Sequence, residues 1–334
     1  MVHIILYAIV PIIVVMLAGF ISGKKGIFSG GDAKIFNKVV LDYALPAALF
    51  VSIVQATRED LVKDLKLTIV STVVIMACFM LVYFIYRYCF KKNTGADAAI
   101  MALISGSPTI GFLGFAVLEP IFTVAPYNYS LTTVALVVAI VGIVVNAIGI
   151  PVGLSLLNAS LAEQATAGQP QKKKQSAWAP VLHALEQPVA WAPILAVVLV
   201  ICGLKWPDWA SPSFNLMAKA NASMAVFSAG ITLSAVKVVI NWQAILGSIL
   251  KLIVMPAAAL VVGLLCHMEP DNLRMLVVAC ALPPAFSGII IADEYDTYVA
   301  TGTSSLTLSI ILFIGFCPLW IWLTDLAISH NFLG

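Results

Sequence analysis

Ten apolar stretches recur along this chain, at 4–22, 36–55, 67–90, 97–122, 130–157, 189–204, 212–236, 242–266, 271–292 and 298–326. Each is close to the length a helix needs to cross hydrocarbon, about 20 residues at 1.5 Å per residue. The pattern predicts an all-α membrane protein with ten transmembrane helices. Composition agrees, because 61% of the 334 residues are hydrophobic and only 10% are charged. A water-facing surface normally carries about 25% charged residues, so the natural solvent of this chain is a lipid bilayer.

The N-terminal segment holds His3 and no Lys or Arg before its apolar run, and no small-x-small cleavage site follows early. The first span is therefore expected to be retained in a multi-pass protein of the cell membrane. Six cysteines, Cys78, Cys89, Cys202, Cys266, Cys280 and Cys317, are scattered through apolar stretches with no C-x-x-C pair. They read as small apolar helix residues, with neither zinc nor a disulfide framework expected.

Lysine and arginine orient the spans. With the N-terminus outside, inner loops hold Lys24, Lys25, Lys34, Lys38, Arg87, Lys91, Lys92, Lys172, Lys173, Lys174 and Lys237. Outer loops hold fewer, Arg58, Lys63, Lys66, Lys205 and Arg274. The excess marks the inner side and places both termini outside. The polar stretch 158–187, with "QATAGQPQKKKQ", is the expected cytoplasmic linker between five-helix halves 1–157 and 188–334. Its "QKKK" reads as a topology signal, and "SAWAPVLHALEQPVAW" after it as a segment lying along the inner interface.

An odd number of spans per half would give two homologous halves opposite orientation. Pro108 and Pro284 are separated by 176 positions, and Phe50 and Phe227, like Asp42 and Lys219, by 177. A steady offset at Pro and charged positions favours an inverted repeat over the chance likeness of any two membrane helices.

Span 4 contains "LISGSPTIGFLG" and span 9 "ALPPAFSG". Pro108, Pro283 and Pro284 remove backbone donors, and Gly106, Gly111, Gly114 and Gly288 weaken the helix around them. Freed backbone groups in hydrocarbon cost several kcal/mol each unless something satisfies them. Two proline kinks packed against neighbours are one reading. Two breaks at matching positions point instead to broken helices that cross at the midplane, where their second halves aim positive N-terminal ends at a solute. The backbone at Thr109, Ile110 and Ser287 and the hydroxyls of Ser105, Ser107, Thr109 and Ser287 then suit a small organic anion. Gly111 and Gly288 would let it approach.

The broken elements "SGSPTIGFLG" and "LPPAFSG", followed by "IIIADEYD", resemble the auxin efflux carrier family of membrane transporters across nearly the whole chain. "VLDYALPAALFVSIVQ" and "PVAWAPILAVVLVICGLKWP" are similar to its malonate transporter subgroup. The resemblance implies a scaffold of spans 1, 2, 6 and 7, often a homodimer through those helices. It also implies a transport domain of spans 3–5 and 8–10 and small organic anions as substrates. One departure stands out. Family members commonly carry Asn at the first break, where this chain has Ser107, Pro108 and Thr109.

Charges inside a membrane are expensive and normally face a cavity or a partner. Lys251, near the middle of span 8, reads as a substrate-carboxylate or coupling residue, or as half of an ion pair. Asp42 in span 2 reads as a proton carrier or an interface ion-pair partner. Lys219 in span 7 reads as its partner or as a snorkelling side chain. Asn146 in span 5 is a site candidate, and Asn221 is expected in a helix–helix hydrogen bond. Glu119, Asp293, Glu294 and Asp296 read as solvated span ends.

No G-x-x-x-x-G-K-[ST] motif is present, so energy would come from a gradient of substrate, proton or sodium rather than ATP bound by this chain. No other cofactor is expected. H-E-x-x-H and G-x-S-x-G are absent and His3, His183, His267 and His330 lie at span ends or loops, which argues against an intramembrane enzyme. Nothing points to nucleic acid. The reading is a secondary transporter of a small dicarboxylate such as malonate or malate. A non-transporting sensor with a carrier fold and a sodium-coupled bile-acid-type symporter are the alternatives.

Overall fold

A computed structural model of the chain describes residues 10–55, 65–166, 188–204, 206–207, 209–235 and 241–330. The fold is all-α. Helix α1 is Val10–Lys24. Helices α2 (Gly30–Val39) and α3 (Leu45–Ile53) join through a π-helical turn, Val40–Ala44. Next come α4 (Leu65–Tyr88), α5 (Gly95–Ser105) and α6 (Ile110–Phe122). Helices α7 (Leu131–Ile143) and α8 (Ile150–Thr166) flank a second π turn, Val144–Gly149. Then follow α9 (Pro188–Cys202), α10 (Ser211–Ala218) and α11 (Ala220–Ala235). Helices α12 (Trp242–Ile249) and α13 (Met255–Leu265) flank a third π turn, Leu250–Val254. The chain closes with α14 (Pro270–Ala281), α15 (Phe286–Glu294) and α16 (Val299–Ser329).

Among the described residues, five helical runs are long and apolar enough to cross a membrane unaided: Leu65–Tyr88, Leu131–Gln164, Ser211–Ala235, Trp242–Leu265 and Val299–Ser329. Expected spans 4 and 9 are each divided into two shorter helices. The helix that carries the second expected span starts ahead of it, at Gly30, because Ser29 and Asp32 form a capping box there. The fifth runs on to Thr166, into the stretch read as linker. The "QKKK" run and the interfacial segment as far as Gln187 lie outside the described residues.

Helix starts are set by local chemistry. Thr94 and Asp97 form a second capping box at α5, and the side chains of Ser130 and Asn241 accept N–H groups at α7 and α12. The three π turns carry no such signal, since a π turn adds one residue to a continuous helix and is held by packing around it.

The helices pack in two groups. In one, α11 lies against α1 and α2, and α3 against α9 and α10. A Cβ on Gly19 would collide with the Phe227 carbonyl, and one on Gly230 with the Met16 carbonyl. This is the close small-residue contact that dispersion favours in lipid. In the other group α5 packs on α4, α8 and α15, while α14 packs on α13 and α16. The groups meet where α6 lies on α11 and α7 on α3.

Polar networks tie the second group together at each end. At one, Tyr86 donates to the Gln243 carbonyl, Tyr298 to the Gln243 side chain, and Asn93 to the Tyr298 hydroxyl at 3.1 Å. At the other, Arg274 donates to Asp325 at 2.7 Å and to the Tyr129 hydroxyl at 3.0 Å, and Tyr127 donates to Asp325 at 2.6 Å. Burial raises the pKa of Tyr127, which keeps that phenol a donor.

Candidate functional site

Both predicted breaks are present. Gly106–Thr109 separates α5 from α6, and Leu282–Ala285 separates α14 from α15. The two gaps meet. Pro108 and Pro284 form an isolated antiparallel bridge. Thr109 N–H donates to the Pro283 carbonyl at 3.0 Å, and Ala285 N–H donates to the Ile104 carbonyl at 3.1 Å. Gly288 makes the approach possible, because a Cβ there would stand 2.7 Å from the Leu103 carbonyl carbon.

Each carbonyl that a proline deprives of its helical donor has found another. Pro108 strands the Ile104 carbonyl, which takes the Ala285 N–H. Pro283 strands that of Ala279, which takes the Leu282 N–H at 3.3 Å. Pro284 strands that of Cys280, which takes the Lys251 ammonium at 2.7 Å. These three bonds let two helices break in hydrocarbon without leaving those carbonyls orphaned.

The ladder of α6 begins with Leu113 N–H to the Thr109 carbonyl at 3.0 Å, so the N–H groups of Ile110 and Gly111 have no acceptor within the helix. In α15 the Gly288 N–H bonds back to the Ala285 carbonyl at 3.2 Å, and Ser287 lies in the turn before it. Thr109, at the N-cap of α6, is 2% exposed and its hydroxyl has no partner. A buried hydroxyl without a partner costs about 1–3 kcal/mol, so its presence calls for a reason.

Ser105, Ser107, Pro108, Thr109, Ile110, Gly111, Pro283, Pro284, Ser287 and Gly288 are thus gathered at one crossing. Ser105 is engaged within the protein, its hydroxyl 3.2 Å from that of Ser305. Ser287 is half-buried.

Three of the intramembrane polar residues fall on the π turns, a local irregularity that is frequent at functional sites. Asp42 lies in the first, Asn146 in the second and Lys251 in the third. Each turn abuts the crossing. Leu41 and Leu45 pack on Gly111, Ser107 lies beside Gly149, and Lys251 reaches Cys280. Asp42 and Asn146 are half-buried, and Lys251 is fully buried. Lys219 is exposed at the joint of α10 and α11, away from the crossing, and makes no ion pair with Asp42. Asn221 is 1% exposed with no partner for either amide atom, so the hydrogen bond expected of it is not made.

Sequence reasoning missed the hydroxyl run of α16. Ser305 contacts Ser105, and its carbonyl accepts Ser248 Oγ at 3.1 Å. The string "TGTSSLTLS" (301–309) in the middle of an apolar span was the available signal.

The family of proteins described as "Membrane transport protein" matches residues 4–321. The chain is 51% identical over 319 residues to "Uncharacterized transporter YfdV" of Escherichia coli (strain K12), covering 96% of this chain and 97% of that one. It is 23% identical over 319 residues to "Uncharacterized transporter MJ1031" of Methanocaldococcus jannaschii, covering 93% and 96%. An "Uncharacterized transporter" of Methanothermobacter thermautotrophicus is 24% identical over 326 residues, with 93% and 96% covered.

Proposed function

The chain belongs to the membrane transport protein family, the auxin efflux carriers, which are multi-pass transporters and not enzymes, and on that premise we propose that it is a secondary carrier of small organic anions. The substrate class is a dicarboxylate such as malonate or malate. The observation that carries this reading is the buried, unpartnered hydroxyl of Thr109 at the start of α6. It stands beside N–H groups that have no helical acceptor.

A carboxylate supplies the acceptor that these donors lack. It accepts several hydrogen bonds and is favoured by the positive end of a helix, an effect worth up to about 2 kcal/mol in partly buried geometry. Two such ends, those of α6 and α15, start at the same crossing. Ser107, Ser287 and Asn146 supply further polar groups around it, and Gly111 puts no side chain over the start of α6, while the space beside Gly288 is taken by the Leu103 and Ile104 backbone.

Transport would proceed by alternating access. The group containing α4–α8 and α12–α16 carries the crossing and is braced at both ends by the Tyr298 and Arg274 networks. That bracing suits a rigid transport domain moving against a scaffold of α1–α3 and α9–α11. The scaffold helices would also form a homodimer. An inverted five-plus-five repeat would account for the pairing of Pro108 with Pro284, and with ten spans the lysine and arginine bias would put both termini outside. Proton or sodium coupling would use Asp42, half-buried on a π turn where the two groups meet.

Uptake of radiolabelled malonate into proteoliposomes under an imposed pH gradient tests this reading. Saturable uptake that malate and succinate compete away supports it. Folded protein that moves no carboxylate under any gradient refutes it.

A further inference from the structure

The crossing of the two broken helices holds four helix ends, not two. Helices α6 and α15 present N-terminal ends there, and α5 and α14 present C-terminal ends. Each end carries about half an elementary charge, positive at the N-terminus and negative at the C-terminus. Left alone, the four nearly cancel, and the crossing would favour neither anions nor cations.

The two C-terminal ends are treated differently. The end of α5 is closed by a neutral group, the Ala285 N–H on the Ile104 carbonyl. The end of α14 is closed by a cation, because Lys251 Nζ lies 2.7 Å from the Cys280 carbonyl oxygen. Its other contact is Met255 Sδ at 3.0 Å, and its side chain is 0% exposed. Among the described residues no carboxylate pairs with it. Cys280 is four residues before Pro284, roughly 6 Å along the helix axis.

We infer that Lys251 sets the sign and the number of charges that the crossing accepts. Its ammonium overcompensates the negative end of α14 and leaves the positive ends of α6 and α15 as the net field. Lys251 is a specificity-determining residue that acts through the Cys280 carbonyl and its charge, without touching the solute. The inference rests on the anion-carrier reading and deepens it to a preference for dianions. The field of one buried unit charge at this range acts on each negative charge of a solute. It is worth roughly tenfold in affinity for a monoanion and roughly a hundredfold for a dianion.

The test is a charge series on full-length protein in detergent, with malonate, acetate and neutral malonamide as probes, read by calorimetry. Lys251→Gln keeps an N–H donor for the Cys280 carbonyl and removes the charge. Lys251→Arg keeps both. Lys251→Met is close in length, sheds the cost of burying a charge, and serves where the Gln variant does not fold. The expected result is a loss of about a hundredfold for malonate and about tenfold for acetate in the Gln or Met variant. Malonamide binding is unchanged, and the Arg variant stays near wild type. Equal losses for all three probes make Lys251 merely structural and overturn the inference, as does unchanged malonate binding. Wild-type protein that binds no anion overturns the carrier reading and this one together.

Discussion

Pro108 and Pro284 face each other in a one-pair antiparallel bridge, where two helices that cannot continue exchange backbone hydrogen bonds, Thr109 N–H to the Pro283 carbonyl and Ala285 N–H to the Ile104 carbonyl. The arrangement makes each break depend on the other. Residues on one strand of the crossing therefore control the geometry of the other.

Gly288 is the steric key to that contact. A Cβ would stand 2.7 Å from the Leu103 carbonyl carbon and 2.8 Å from the Ile104 nitrogen, both backbone atoms that cannot swing away. Gly288→Ala is expected to destabilise the protein by about 1–3 kcal/mol through overpacking. A thermal-unfolding midpoint equal to wild type would show that the crossing tolerates a wider spacing.

Thr109→Val separates stability from binding. Removing an unpartnered buried hydroxyl leaves the free protein as stable or more stable, since an unsatisfied polar group is lost. The same change weakens malonate binding about tenfold, the worth of one hydrogen bond to a charged group. Calorimetry and a thermal scan on the same preparation check both signs. A fall in stability would mean that the hydroxyl already has a partner inside the protein.

The Arg274–Asp325 pair braces the end of the crossing group. Asp325→Ala removes the acceptor of both Arg274 and Tyr127. The two charged side chains are 21% and 36% exposed, so solvent screening limits the loss to about 1 kcal/mol. Thermal unfolding measures it, and a loss several times larger would place the network at the centre of stability rather than at its edge.

Asp32 gives a pH dependence with a definite sign. Backbone and side-chain hydrogen bonds from Ser29 hold its carboxyl below the ordinary 3.8. A depressed carboxylate pKa stabilises the fold above the unfolded value and loses that effect as pH falls through the folded one. Amide exchange at the start of α2 should accelerate, relative to intrinsic rates, as pH drops below about 4. Asp32→Asn should be flat over that range.

Much of this architecture was legible because it is written in local chemistry. Proline and glycine mark both breaks, and the 176-residue offset points to the pairing of Pro108 with Pro284. Other features depend on contacts far apart in the chain. Lys251 reaches a carbonyl 29 residues away, and Ser105 meets Ser305 across 200. A π turn has no residue signature of its own, so the shared setting of Asp42, Asn146 and Lys251 could not be read from the string. The paired separation of Asp42 and Lys219 invited an ion pair, but the exposed joint between α10 and α11 holds Lys219 apart.

The central claim is that one anion binds at the crossing and is exposed to each side in turn. Ser287→Cys, in protein whose exposed Cys89, Cys202 and Cys266 are replaced by Ser, offers the most direct measurement. A membrane-impermeant thiol reagent is applied from either face of proteoliposomes. The account predicts labelling from both faces and protection of both by malonate. Labelling from one face only, or labelling that malonate leaves untouched, would contradict it.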